Sequence, residues 1–366
     1  MKLKIFLQVF GAIAVLLTII PIVAVDYWWI RMFDFTHLQL TLLTLTALLA
    51  YFIRFDIRSK SDYAFIIILL GCFIYQGVKI QPYTPLASLE VLDSEKPMGK
   101  TSFKIFTANV LQDNEDYASL IRSIENYDAD ILLLTETNNE WMKNISEVVN
   151  AKYPHAVEVP KDNTYGMLLY SKLPLRKEKV KYLVHDSIPS IHAQVVLPSR
   201  DKLQLYCIHP TPPMPQENPT STARDAEMMI IAKLSRSSQL PVIVLGDFND
   251  VAWSRTTELF EEVSGLLDIR KGRGLYNTYN AKNPIMRWPL DHIFVSPDYR
   301  YLHMERGKKI GSDHFPVYVE LHYEPSGADV QTPPKATAEA LDEANRMIKE
   351  AELERRIKEQ ELDLEF

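Results

Sequence analysis

Apolar residues crowd the first eighty positions and then thin into short runs separated by polar stretches. Residues 5–25 read IFLQVFGAIAVLLTIIPIVAV, twenty-one positions without a charge. At ~1.5 Å per residue a helix of that length crosses a ~30 Å hydrocarbon layer. Runs at 36–53 and 63–78 predict two more crossings, the last short unless Lys79 reaches the interface with its long side chain. Residues 1–80 are therefore expected to form a three-helix anchor in a lipid bilayer. Tyr27, Trp28 and Trp29 follow the first run and suit the headgroup layer as an aromatic belt. A cleavable leader is the alternative for the first run, because Lys2 and Lys4 precede it. The run is longer than the ~7–15-residue core of such leaders.

From about residue 101 the pattern changes to short apolar runs alternating with amphipathic segments. Strands are expected at 103–107, 131–135, 166–170, 192–196, 203–208, 242–245, 291–295 and 317–321, and helices at 117–127 and 221–236. This is an α/β pattern. Many of the strands are polar on one side, which suits two packed sheets, each with one face toward helices, better than a single buried parallel sheet. The polar, Pro-containing stretch 81–100 reads as a linker between anchor and soluble domain. Residues 326–366 read as a second linker followed by a charged helix.

Polar residues recur where the apolar runs end. Asn109 follows KIFTA, Glu136 follows ILLLT, and His209 follows LQLYCI. Asp247 and Asn249 follow VIVLG, Asp291 precedes HIFV, and Ser312, Asp313 and His314 precede the last strand. A single carboxylate in such a place is ordinarily a cap or turn residue. Six places converging would make a different object. Several carboxylates supply the oxygen ligands a hard divalent cation prefers, while amides and imidazoles supply donors for a phosphate oxyanion.

The strings TANV (107–110), LLLTET (132–137), YGMLLYSKLPL (165–175), CIHPTPP (207–213), PVIVLGDFND (241–250), LDHIFVS (290–296) and GSDHFPV (311–317) resemble, in order and spacing, the endonuclease/exonuclease/phosphatase superfamily over roughly residues 101–322. The region before residue 80 and the acidic tail lie outside the match, as in membrane-tethered bacterial members. The resemblance implies a four-layer α/β sandwich, with a catalytic domain over 101–325 and the site at one edge between the sheets. It implies Mg²⁺, with Mn²⁺ as a substitute, held by Glu136, Asn109 and Asp313. It implies that Asp247 orients or deprotonates the attacking water and that Asn249 donates to the nucleophile or phosphoryl group. His314 paired with Asp291 would move a proton or clamp the phosphate, with His209 as a second clamp and Asn109 touching a phosphate oxygen. The number of ions, and whether Asp247 or His314 is the base, stay open. Arg224 and residues 277–279 read as structural, although the latter resemble a substrate-side loop of the family, and Trp253 reads as core packing with pocket lining as the alternative.

Charge narrows the partners. The chain carries 40 basic and 47 acidic residues, a formal −7, so a strongly basic nucleic-acid surface is excluded. Two cysteines cannot make a disulfide framework. Basic residues precede the first run (Lys2, Lys4) and separate the second from the third (Arg54, Arg58, Lys60), whereas only Arg31 and Lys79 lie on the other side. That asymmetry places the N-terminus in the cytoplasm and the catalytic domain outside it, at the inner membrane. The expected activity is metal-assisted, nuclease-like hydrolysis of phosphodiesters, on nucleic acid, nucleotides or lipid head groups. A lipid or inositol phosphate hydrolase is the second reading, and an inactive tethered scaffold the third. The tail, which carries five basic and ten acidic residues over 337–366, is expected to be a solvated helix, with a protein partner as the alternative.

Overall fold

The computed structural model describes residues 2–23, 26–95, 99–215 and 218–364. Helices α1 (Lys2–Ile19), α2 (Trp28–Phe35), α3 (His37–Tyr51) and α4 (Lys60–Ile80) come first. α1, α3 and α4 pack together around Ala14, Ala47, Leu48 and Leu69. Their outer sides keep Phe6, Ile13, Leu42, Leu49, Ile67 and Ile74 exposed. Among the described residues, Lys2–Ile22, His37–Arg54 and Lys60–Tyr83 are long and apolar enough to cross a membrane. The third is longer than its apolar run, because Ser59 caps Asp62 and Lys79 pairs with Glu258 at the far end. Ala24 and Val25, the last positions of the first predicted run, lie outside the described residues.

The remaining helices are α5 (Tyr117–Tyr127), α6 (Asn139–Lys152), α7 (Thr222–Ser237), α8 (Arg255–Ser264) and α9 (Ala338–Leu364). The strands are β1 (Ser102–Asn109), β2 (Ile131–Thr135), β3 (His155–Val159), β4 (Met167–Ser171), β5 (Leu175–Lys181), β6 (Ser190–Val196), β7 (Lys202–Ile208), β8 (Val242–Asp247), β9 (Leu267–Asp268), β10 (Asp291–Val295), β11 (Tyr299–Arg306) and β12 (Val317–Tyr323). They form two six-stranded mixed sheets, ordered β11-β12-β1-β2-β4-β3 and β5-β6-β7-β8-β10-β9. This is the expected α/β sandwich.

Each sheet holds one parallel pair, β1 with β2 and β7 with β8, between antiparallel neighbours. A parallel pair needs a crossover, and α5 and α7 supply them. Alternation along the strands sends Ile105, Leu133, Leu205, Leu245 and Val319 into the core between the sheets. The opposite faces take Phe106, Leu132 and Leu134 against α5 and α6, and Tyr206, Val244 and Phe294 against α7 and α8. Arg176, Lys177, Lys179 and Lys181 lie on β5, an edge strand, where exposed charge discourages pairing with another chain.

Three segments differ from expectation. The stretch 81–95 is docked rather than free. Tyr83 is buried and donates from its hydroxyl to Ala252 O at 2.6 Å, Val91 enters the inter-sheet core, and Tyr301 N donates to Leu92 O at 2.9 Å. The tail helix is not solvated all round. Ala340, Ala344 and Met347 pack with α7 and α8, and Ala351 is buried beside Ala223 and Ala226. Their 4-3-4 spacing is a helix face, but it is made largely of alanines, which resemble helix filler rather than a seam. The aromatic belt is divided. Tyr27 and Trp29 are exposed, whereas Trp28 opens α2, which lies against the soluble domain through Trp253 Nε1 donating to Asp34 O (2.7 Å) and Trp28 N donating to Pro219 O (3.0 Å).

One buried group gives the fold a pH dependence. Glu227 on α7 is 2% exposed, its Oε1 has no hydrogen-bond partner, and burial raises its pKa from 4.5 to about 8. Between those values the folded protein keeps a proton that the unfolded chain loses. Stability from this group is therefore fully present in acid and declines as pH rises through that window. Glu227→Gln is expected to stabilise the chain by on the order of 4 kcal/mol at pH 8 and by little at pH 4.5. Thermal unfolding of the full chain at the two pH values checks the difference.

Candidate active site

The two parallel pairs bring four strand ends to one edge of the sandwich. Asn109 ends β1, Glu136 follows β2, His209 follows β7 and Asp247 ends β8. The approach of β7 and β8 depends on Gly246 (φ +142°), where a Cβ would lie 1.9 Å from Ile208 O. Asp291 begins β10 directly opposite Asp247 in the antiparallel register. The turn before β12, which pairs with β1, contributes Ser312, Asp313 and His314.

Asp247 lies at the centre. Asn109 Nδ2 donates to Asp247 Oδ2 at 2.9 Å and to Glu136 Oε1 at 2.6 Å. His314 Nε2 is 3.5 Å and His209 Nε2 3.8 Å from Asp247 Oδ2. His314 Nδ1 is 2.8 Å from Asp291 Oδ2, which fixes the plane of the ring. Ser312 Oγ donates to Asn109 O at 2.8 Å and accepts from His314 N at 2.9 Å, tying the two sides together. Asn249 N donates to Asp247 Oδ1 at 2.9 Å, and its side-chain amide donates to Pro210 O at 3.0 Å. Glu136 (φ +58°) and Asn249 (φ +50°) both adopt the left-handed conformation. For a side chain such as Glu this is strain of order 1–3 kcal/mol, held by the surrounding contacts.

Asn109, His209, Asp247, Asp291 and His314 are buried. Burial raises the Glu136 pKa, against the nearby His209, the Asn109 hydrogen bond and His314, which lower it. Burial alone would lower His314, but Asp291 and Asp247 outweigh it and push its pKa up to about 10. The ring is then an imidazolium at neutral pH.

Two sets of three groups place their donor atoms within 4.8 Å of one another: Glu136, His209 and Asp247, and Asp247, Asp291 and His314. The first set fits a divalent cation by its donor chemistry, offering two carboxylates and the His209 imidazole, whose Nε2 lies 3.8 Å from Asp247 Oδ2. Asp313 belongs to neither set, although it lines the same pocket.

Three residues singled out on the margins of the motif are placed as follows. Arg224 stands behind the site, donating to Asn249 O at 2.9 Å and pairing with Asp225 and Asp250. Trp253 is buried in the apolar seat under α2. Tyr279, from the loop at 277–279, packs its ring 5.0 Å from His314.

Over these groups opens a pocket of about 580 Å³. Its walls include residues given no place in the site from sequence: Tyr165, whose ring is 5.2 Å from His209, Trp288, stacked on Tyr279, and Trp28, Met32 and Phe35 of α2, Trp28 having been read as part of an aromatic belt. The last three share one helix face at 4-3 spacing. That signal is visible in the sequence once residues 28–35 are taken as a helix.

Residues 106–314 match the model of the Endonuclease/Exonuclease/phosphatase family. Among solved structures, the chain is similar to D. rerio TDP2 complexed with single strand DNA product, at 18% identity and TM-score 0.51 over 61% of this chain and 99% of that one. It is similar to an endonuclease/exonuclease/phosphatase from Beutenbergia cavernae DSM 12333, at 14% identity and TM-score 0.50 over 61% and 72%. The human Nocturnin catalytic domain with bound sulfate anion aligns at 15% identity and TM-score 0.50 over 63% and 100%. At these identities the likeness to the solved structures is one of fold. No curated protein matches the chain.

Proposed function

Because the chain belongs to the endonuclease/exonuclease/phosphatase family, hydrolases acting on phosphoester bonds, we propose that it is a membrane-anchored, Mg²⁺-dependent phosphoester hydrolase working at the Asp247 site. The observation that carries this is the convergence of two donor sets on one buried carboxylate. Glu136 and Asp247, with His209, would hold the divalent ion, and Asp313, which lines the same pocket, would be a further ligand. When bound, the ion supplies positive charge to the phosphoryl and leaving oxygens.

The protein's own groups do the rest. Asp247, whose Oδ2 lies 3.5 Å from His314 Nε2, would orient water and accept its proton. His314, held in plane by Asp291, donates to the phosphoryl group or to the departing alkoxide. Asn249 would donate its remaining amide hydrogen to a phosphate oxygen, while Asn109, whose two amide hydrogens go to Glu136 and Asp247, holds those carboxylates in place. Water adds to phosphorus, the phosphorus–oxygen bond to the alcohol breaks, and the alcohol leaves with the proton. Diester cleavage, as a nuclease performs it, and monoester cleavage use the same groups; the D. rerio TDP2 structure holds a single-strand DNA product on the same fold.

The proposed location is the outer face of an inner membrane. Lys4 pairs with Asp62, so the starts of α1 and α4 lie together with the basic 54–60 turn, at the end of the bundle opposite the Lys79–Glu258 contact with the soluble domain. That polarity supports a cytoplasmic N-terminus and an extracytoplasmic site.

Full-length protein in detergent, treated with chelator and then given Mg²⁺, tests the activity on bis(4-nitrophenyl) phosphate and 4-nitrophenyl phosphate. Less than 1% of the rate is expected without metal, with recovery on addition. Silence on both esters, or a rate indifferent to the chelator, would overturn the reading.

A further inference from the structure

We infer that the natural substrate is an amphiphile, a phosphoester lipid of the bilayer that holds the chain, drawn into the active site along the face of α2. The inference rests on the phosphoesterase reading above and names what that site accepts.

The pocket is two-sided. Its floor carries His209, Asn249, His314, Glu136 and Asp313, the groups suited to a phosphate and its cation. Its wall carries Trp28, Met32 and Phe35, which come from the segment between the first two membrane-crossing helices and not from the catalytic sandwich. The wall joins the floor without a gap. Phe35 meets Trp288 edge-on at 5.7 Å, Trp288 stacks on Tyr279 at 5.9 Å, and Tyr279 packs 5.0 Å from the His314 ring.

The height of the rim is fixed as well. Gln39, the third residue of α3, donates from Nε2 to Ile285 O at 2.9 Å. The 280–287 loop therefore sits level with the start of the second helix long and apolar enough to cross a membrane, which would put it in the headgroup layer. Around that rim Met32, Met214, Ile285 and Met286 are exposed at 48, 46, 74 and 36%. An apolar rim of this kind marks an apolar partner rather than bulk water, and methionine adapts to chains of varied shape.

The charge pattern decides against a polynucleotide. No lysine or arginine lines the pocket among the described residues, whereas a strand of nucleic acid is tracked by a positively charged groove. A small polar phosphate ester would have no use for the α2 face. A lipid uses both halves: the phosphate meets the floor while the first carbons of its chain run along α2 toward the membrane.

The test separates the inference from the reading beneath it. Binding of octyl phosphate and of methyl phosphate to the full chain is measured by calorimetry in one detergent with Mg²⁺, beside a single-stranded oligonucleotide. Hydrolysis of bis(4-nitrophenyl) phosphate is recorded on the same samples. Octyl phosphate is expected to bind at least tenfold tighter than methyl phosphate. Met32→Glu, at a half-exposed position that threatens no core, and Trp28→Ala are each expected to cut that ratio at least fivefold. Detergent partitioning of octyl phosphate is measured without protein and subtracted from the free ligand, and it cancels when the ratios of the three proteins are compared. A ratio near one, a ratio that neither variant moves, or tighter binding of the oligonucleotide overturns the lipid inference, even if the diester is cleaved. A chain-length preference with no diester hydrolysis removes the phosphoesterase reading and leaves the pocket as a lipid-phosphate binding site.

Discussion

Asp247→Ala is expected to lower phosphoester hydrolysis at least 10³-fold and to leave the fold intact. The rate effect follows from position. Asp247 is the one carboxylate common to both donor sets, and Asn109, His209, His314 and the Asn249 backbone all address it. Its loss removes an anionic ligand and the acceptor for the proton of water together, and each such role is commonly worth 10²-fold or more. Stability is expected to hold for an electrostatic reason. Glu136 and Asp291 are close by, so removing one of three crowded carboxylates relieves repulsion at the same time as it takes a partner from His314. Circular dichroism and the unfolding midpoint, read with the rate on bis(4-nitrophenyl) phosphate, separate the two effects.

Arg224→Met is expected to act the other way, on structure first. Arg224 is 1% exposed, with Nη2 2.8 Å from Asp225 and Nη1 3.3 Å from Asp250, and it donates to Asn249 O. Burial disfavours its charge, but Asp225 and Asp250 raise its pKa nonetheless. Beyond Asp225 stands Arg31 of α2, 3.8 Å away and bonded to Asp26 at 2.8 Å. The chain of ions thus runs from α2 to the backbone of Asn249. Removing Arg224 leaves two buried carboxylates with insufficient positive charge, a loss of about 3–5 kcal/mol. The unfolding midpoint is expected to fall accordingly. Arg224→Lys, which keeps the charge but not the planar fork, is expected to recover part of it.

Much of this site was legible because it is built at strand ends. A run such as VIVLG must be buried on both faces, so the polar residue that follows it marks where the sheet edge opens, and the same logic located Asn109, Glu136, His209 and Asp291. The residues that shape the pocket left weaker marks. α2 is eight residues long, and its Trp-Trp pair beside a long apolar run resembles an interfacial belt; only contact with Trp253 and Pro219 turns it into a wall of the pocket. β3 alternates between half-buried and exposed positions, and β9 has two residues, too little pattern to register. α9 hides its seam in alanines, whose helix propensity is the same whether they face solvent or a neighbour. The docking of residues 81–95 rests on the Tyr83 hydroxyl, on Val91 and on backbone bonds, which a polar, Pro-containing stretch does not advertise.

Binding of Mn²⁺ to the full chain in detergent tests, without any substrate, whether Asp247 and Glu136 hold a divalent ion. Loss of the free-ion electron paramagnetic resonance signal counts bound Mn²⁺ directly. Saturable binding that Mg²⁺ displaces is expected, weakened at least tenfold by Asp247→Ala and by Glu136→Gln. A folded wild-type chain that leaves Mn²⁺ free in solution, or binding that neither substitution alters, would contradict it.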